Sequence, residues 1–350
     1  MAPAPARAVT ATIADVARAA GVSTATVSRV LAGLGGARAD TQRRVLDATR
    51  ELDYRPSEIA RALKRRSTQT LGLIVTDIEN PYFPQLVRSV EDAARAEGYS
   101  ILLCNAADDP EREVFYLELL AERRVDGLII AASSLGVRHL EWLTAPRLPV
   151  VLVNTAAPDV DLPSITSDNH AGGRLAVEHL LGLGHRRFGY LMAPPRNVDG
   201  PDRLAGVRAA LTDAGLGDGA PTVTTGEPLV GGGETAMLDM LDRAPDVSAI
   251  VAYNDLMAIG ALRALRQRGR RVPVDVSVVG FDDVAFAAYV EPPLTTIAQG
   301  TVEMGRWAVA QMARRLRSGD EPGAAASVRL PVRLVVRGSS GPAVDPTADV

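Results

Sequence analysis

A single cysteine, Cys104, is all the thiol that this chain of 350 residues contains. No intrachain disulfide can therefore form, and a reducing compartment is expected. Its place at the end of the run ILLC reads as a small buried hydrophobe. Lysine is almost absent too: Lys64 is the only one, and arginine carries the rest of the positive charge. No apolar run approaches the ~18 residues that span a bilayer. The opening MAPAPARAVTAT lacks the apolar core of a signal peptide, so a cytoplasmic protein without a membrane partner is expected. Of the four histidines, His139, His170, His179 and His185, none stands at metal-ligand spacing from a second. A Gly-x-Ser-x-Gly elbow and a Walker loop are missing, and the run Gly231–Gly233 has no lysine to complete a phosphate cradle. That run reads as a loop before a helix that starts at about Glu234. No catalytic residue, metal or cofactor is expected.

Charge is present but unevenly placed. A formal net charge of −4 argues against a nucleic-acid binder. Residues 1–66, however, hold 12 basic and 6 acidic side chains, and the remainder holds 26 and 36. A basic head on an acidic body fits a DNA-binding module joined to something that does not touch DNA.

Within the head, IADVARAAGVSTATVSRVL (13–31) has the spacing of a helix-turn-helix. Ile13, Val16, Ala17 and Ala20 give a first helix one apolar face. Gly21 suits the left-handed turn, Val22 plugs the angle, and Ser23 caps a second helix that buries Val27, Val30 and Leu31. Thr24, Ala25, Thr26, Ser28 and Arg29 remain, several pointing outward. Small residues let such a helix enter the major groove, where Arg29 can grip guanine. The bland alternative is an ordinary helical hairpin with a glycine corner. A third helix is expected from about Asp40 or Thr41 to Leu52, with Val45, Leu46, Ala48 and Leu52 as its apolar side.

From Leu71 onward, short apolar runs alternate with amphipathic stretches. LGLIV (71–75), SILLC (100–104), GLIIA (127–131) and PVVLV (149–153) form one series; FGYLM (188–192), TVTT (222–225), SAIVA (248–252) and VSVVGF (276–281) form a second. Helices at Phe83–Glu97, 111–123, His170–Leu183, Asp202–Ala214, from about Glu234, and Leu256–Gly269 separate them. This alternation implies an α/β fold with parallel sheets covered on both sides, in two similar lobes. Ligands in such sheets bind beyond the carboxyl ends of the strands. Those ends carry Asp77 with Asn80–Phe83, Asn105, Ser133 and Ser134, Asn154, Asn254-Asp255 and Asp282-Asp283, while Arg203 opens a helix. Strand ends often carry Asn and Asp as turn formers and caps. Six polar ends together, with Tyr82 and Phe83 to stack, suit a polyhydroxylated or heterocyclic small molecule.

TIADVARAAGVSTATVSRVL, TQRRVLDATRELDYRPSEIARAL, TLGLIVTDIENPYFPQLVRSVEDAARAEGY, AGGRLAVEHLLGLGHRRFGYL, AYNDLMAIGALRAL, VPVDVSVVGFDDV and PPLTTIAQ are similar to blocks of the lactose-repressor (LacI/GalR) family, along nearly the full chain. The resemblance implies a three-helix DNA-reading head, a hinge helix and a two-lobed body like periplasmic sugar-binding proteins. It implies a homodimer on a near-palindromic operator, controlled by a small-molecule effector, with a sugar or related metabolite expected. Carried over, Thr24, Ala25 and Arg29 take base-reading positions. Leu63 takes that of a hinge leucine wedged into the minor groove, beside Lys64 near phosphate. Effector contacts fall on Phe83, Asn154, Asn197, Asp199, Arg203, Asn254 and Asp282.

The expected divisions are a leader (1–10), a head (11–54), a hinge and linker (55–70), a body (71–340) and a tail (341–350). In the body the N-lobe takes about 71–166 and 296–326, and the C-lobe about 167–295 and 327–340. Residues 56–64 are too short for a stable lone helix, so the hinge is expected to fold on dimeric DNA binding. Departures from the family pattern are Ser57 after the hinge proline, GGARA at 35–39, and no aromatic lid at Pro228–Leu229. The tail has no leucine heptads, so a tetramer through it is not expected. Arg203 and Asp282 are expected to serve the effector without a role in folding. The rival readings are a solute-binding protein for transport, and an α/β enzyme using the cleft.

Overall fold

Thr12 starts the first helix by exchanging bonds with Asp15. Its backbone N–H donates to the Asp15 carboxylate at 3.0 Å, and its hydroxyl accepts from the Asp15 N–H. This capping box satisfies two otherwise orphaned donors. Helix α1 (Ile13–Ala20) ends on Gly21 at φ 62°, and α2 (Thr24–Leu31) opens on Ser23, whose Oγ accepts from the Thr26 N–H. In the computed structural model the described residues are 11–33, 36–54, 67–132, 137–144, 148–155, 161–194, 199–217, 221–318 and 326–344. The leader, the hinge residues 55–66 with Leu63 and Lys64, and Asn197 lie outside them. The chain divides into two compact units at the Thr68–Gln69 junction.

In the first unit, α3 (Ala39–Glu51) completes a core of Val16, Ala17, Ala20, Val27, Val45 and Ala48, with Val22 and Leu31 against it. Leu46 and Leu52, assigned above to the apolar side, are exposed. At 3.6 residues per turn Val45 and Ala48 share one face, whereas Leu46 is turned about 100° away and Leu52 lies beyond the helix end.

The second unit holds two six-stranded sheets. The N-lobe sheet uses β1 (Thr70–Val75), β2 (Ser100–Asn105), β3 (Gly127–Ala131), β4 (Val150–Val153), β5 (Ser164–Ser167) and β11 (Ser327–Leu330), in the order β11-β5-β4-β3-β1-β2. The C-lobe sheet uses β6 (Phe188–Met192), β7 (Thr222–Thr225), β8 (Ala249–Ala252), β9 (Ser277–Asp282), β10 (Thr295–Ala298) and β12 (Arg333–Val335), in the order β12-β10-β9-β8-β6-β7. The central strands are buried throughout, hence their unbroken apolar runs. All pairings are parallel except β10 with β12. Two lobe boundaries move from those expected. β10 pairs with β9, so the chain stays in the C-lobe until Ala298; β11 pairs with β5, so Ser327–Leu330 belong to the N-lobe.

Helices α4 (Tyr82–Ala96), α5 (Pro110–Glu122), α6 (Val137–Thr144), α7 (Asn169–Gly182), α8 (Gly200–Asp213), α9 (Val230–Arg243), α10 (Asp255–Gln267) and α11 (Thr301–Ser318) cover the sheets. Two close helix pairs brace the C-lobe. A Cβ on Gly173 of α7 would strike the Arg203 carbonyl of α8, and one on Gly206 would strike the His170 carbonyl. The glycine run at 231–233 is not a loop before its helix but the first turn of α9, which starts at Val230. Gly233 meets the Met257 backbone and Gly260 meets the Val230 carbonyl, so α9 and α10 touch where larger residues would hold them apart.

Candidate functional site

The carboxyl ends of both sheets face a cleft of about 290 Å³. Thr76, Asp77 and Asn154 come from the N-lobe side, Asn254 and Asp282 from the C-lobe side, and Gln299 from the crossover between them. Arg203, on the first turn of α8, is 3% exposed. Its Nε donates to Asn169 Oδ1 at 2.9 Å, Nη1 to the Tyr253 carbonyl at 2.6 Å, and Nη2 to Asp199 Oδ2 at 2.5 Å. The Tyr253 hydroxyl donates to the other Asp199 oxygen at 2.7 Å. The guanidinium also lies 3.8 Å from the Phe281 ring centre and 4.7 Å from that of Tyr253. Burial lowers its pKa, but Asp199, Tyr253 and Asp282 outweigh that and leave it above its ordinary value. The cation is thus fixed before any ligand arrives.

A second set of bonds crosses between the lobes. Gln299 Nε2 donates to Asp282 Oδ1 at 2.6 Å, while its Oε1 accepts from Asn154 Nδ2 at 3.1 Å and from the Ser167 hydroxyl at 2.6 Å. Asn154 Nδ2 also donates to the Tyr82 hydroxyl, and its Oδ1 accepts from the Ser167 N–H. Asn154 and Asp282 both sit at positive φ, 50° and 126°. Side chains rarely adopt those conformations, and such strain concentrates at ligand sites.

Burial pushes the Asp282 carboxyl up to about 7, against the opposing pull of Arg203 and Gln299. Behind it Asp255 is raised well above the carboxyl range, by burial first and then by Asp282. It accepts from the Thr296 hydroxyl at 2.5 Å and the Val284 N–H at 2.9 Å. An unfolded Asp titrates at about 3.9. Raised carboxyls bind protons more tightly when folded, so their stabilisation is full below about pH 4 and is lost as pH rises through about 7. The variant Asp282→Asn is expected to lose part of this decline in melting temperature. Equal slopes for variant and parent between about pH 4 and 7 would contradict the assignment.

The structure brings together Phe83, Asn154, Asp199, Arg203, Asn254 and Asp282 of the expected effector set. Phe83 packs edge-on to Tyr82 at 5.3 Å and forms an apolar wall. Asn254 also caps α10, accepting from the Met257 N–H at 2.8 Å, and it donates to the Pro228 carbonyl at 3.0 Å. Other strand-end residues act as turn formers. Asn105 accepts from the Ile78 N–H, and Asp283 bonds Arg337 at 2.6 Å. Gln299, Tyr253 and Asn169 went unassigned in the sequence. Gln299 follows β10, a strand too short to notice, although it closes the block PPLTTIAQ.

In the head, Thr24, Ala25 and Arg29 are exposed on α2, while Thr26 and Ser28 are half-buried. The Thr26 hydroxyl lies 2.9 Å from that of Ser23, so part of its bonding capacity stays within the cap. Among the described residues Arg29 joins no ion pair, whereas Arg18, Arg44 and Arg50 pair with Asp15, Asp40 and Asp47. A side chain left unpaired at an exposed helix face keeps its donors for an outside acceptor.

The family model for bacterial regulatory proteins of the lacI family matches residues 12–57, and that for a periplasmic binding protein-like domain matches 177–340. An HTH-type transcriptional repressor PurR from Haemophilus influenzae (strain PittEE) is 37% identical over 312 residues, covering 89% of this chain and 93% of the relative. The lac repressor dimer bound to operator and the anti-inducer ONPF is 30% identical, with a TM-score of 0.84 over 95% of this chain and 99% of that one. The transcriptional regulator CelR in complex with cellobiose is 33% identical, with a TM-score of 0.72 over 94% of this chain and 99% of that one.

Proposed function

The chain belongs to the LacI family of bacterial regulatory proteins, and from that premise we propose that it is a ligand-controlled transcriptional repressor. It binds a near-palindromic operator as a homodimer, and a small polyhydroxylated effector in the cleft sets the affinity. The observation that carries this reading is the convergence of Arg203, Asp199, Asn254 and Asp282 on one cleft, in a chain whose separate head exposes Thr24, Ala25 and Arg29. Arg203 and Asp282 hold effector hydroxyls, Phe83 packs on one face, and Asn154 and Asn254 set the positions of their neighbours. Asn197 and Asp199 complete the loop before Arg203. On DNA, Thr26 and Ser28 support the base-reading residues, Leu63 enters the minor groove and Lys64 meets phosphate. The work is done in the cytoplasm at the nucleoid.

The body is a binding module and not an enzyme. Asp282 and Arg203 could resemble an acid pair, but Gln299 and Asp199 hold them in place, as suits a ligand clamp. A transport protein would share the body, but the regulatory-family match over 12–57 supports the repressor.

Arg29→Ala tests the DNA-reading role. With a bidentate contact to guanine lost, affinity for a selected operator is expected to fall by about 1–3 kcal/mol, with little change on random DNA. Fluorescence anisotropy on both duplexes at one salt concentration measures it. Equal weakening on the two would reduce Arg29 to a phosphate contact.

A further inference from the structure

The charge around the cleft says what kind of effector it admits. Among its described lining residues are five carboxylates, Asp77, Asp108, Asp199, Glu227 and Asp282, and one cationic side chain, Arg203. That cation is already matched: Asp199 takes its Nη2, and the rings of Phe281 and Tyr253 flank its faces. Taking Arg203 with Asp199 as a neutral pair leaves acidic side chains on both walls. Asp77 and Asp108 follow N-lobe strands; Glu227 and Asp282 follow C-lobe strands. In a partly dry cleft, each nearby carboxylate weakens the binding of an anion by roughly tenfold or more and favours a cation by as much. Size gives a second limit. About 290 Å³ lies at the bottom of the range for ligand pockets, which suits one ring and not two.

We propose that the cleft selects a single-ring effector without negative charge, either a neutral polyol or nucleoside-like compound or one bearing an amine, and rejects phosphate esters and carboxylates. This rests on reading the cleft as the effector site. Neutral hydroxyls and ammonium groups can donate to Asp282 and the rim carboxylates, whereas a phosphate would bring further acceptors to a site already rich in them. The chain would therefore differ in ligand from the CelR complex, whose sugar is the two-ring cellobiose.

Matched ligands test the proposal on the full-length protein. Titration calorimetry at fixed ionic strength compares glucose, glucosamine and glucose 6-phosphate; ribose and ribose 5-phosphate; adenosine and adenosine 5′-monophosphate; and cellobiose. In every set that binds, the neutral or amine member is expected to be at least about tenfold tighter than its phosphate ester. The rim double variant Asp108→Asn with Glu227→Gln, checked for an unchanged melting temperature, is expected to narrow that gap by about tenfold. A phosphate ester as tight as its parent, or cellobiose tighter than glucose, overturns the proposal. If that binding is lost in Asp282→Asn, the cleft remains the effector site and only the selectivity argument fails. Binding untouched by Asp282→Asn, or no binding by any compound, overturns the effector reading together with the proposal.

Discussion

Arg203→Met is expected to remove effector binding and to destabilise the body by about 3–5 kcal/mol, the usual cost of stripping one partner from a buried ion pair. The sequence reading gave Arg203 a purely ligand-binding role, and the structure corrects that. Its guanidinium is 3% exposed and joins Asn169, Asp199 and the Tyr253 carbonyl, residues 34, 4 and 50 positions away in the chain. Methionine matches the stem but leaves the Asp199 carboxylate with only the Tyr253 hydroxyl against it. Denaturant unfolding of variant and parent gives the difference directly. The double variant Arg203→Met with Asp199→Asn is expected to recover much of the stability, because no buried charge is then left unmatched, yet to remain unable to bind effector. An Arg203→Met protein as stable as its parent would mean that the ion pair does not anchor α8.

Gly206→Ala is expected to cost the body about 1–3 kcal/mol by overpacking, from the addition of one methyl group. The new Cβ would overlap the His170 carbonyl, a backbone atom with no rotamer to escape into. Helix α8 must therefore move away from α7, and Arg203, one turn earlier on the same helix, moves with it. Weaker effector binding should accompany the lower melting temperature. An unchanged melting temperature would show that the two helices separate freely at this point.

Much of this architecture was legible in the sequence because it depends on local pattern. The runs LGLIV, GLIIA and SAIVA are strands buried on both faces, and Ser23 caps its helix where the spacing expected. Elements without such a pattern escaped notice: β5 and β11 are short and polar, and β12 is three residues long. The lobe boundaries shifted for the same reason, since only strand pairing shows that Thr295–Ala298 belong with β9. In the cleft, the strand-end rule and the resemblance found Arg203, Asn154 and Asp282. Neither found Gln299, whose importance lies in contacts with Asp282, Asn154 and Ser167, up to 145 residues distant. Leu46 failed in the opposite sense: its residue type said core, but its rotation about α3 exposes it.

The claim that joins head to body is that occupancy of the cleft changes operator affinity. Anisotropy titration of a labelled operator, with and without a saturating amount of the tightest compound from the matched panel, measures this at fixed salt. The account predicts a shift of about 5–150-fold in operator affinity, and, by linkage, the same factor in ligand affinity when operator is present. A compound that saturates the cleft, needs Asp282 to bind, and leaves operator affinity unchanged would contradict it.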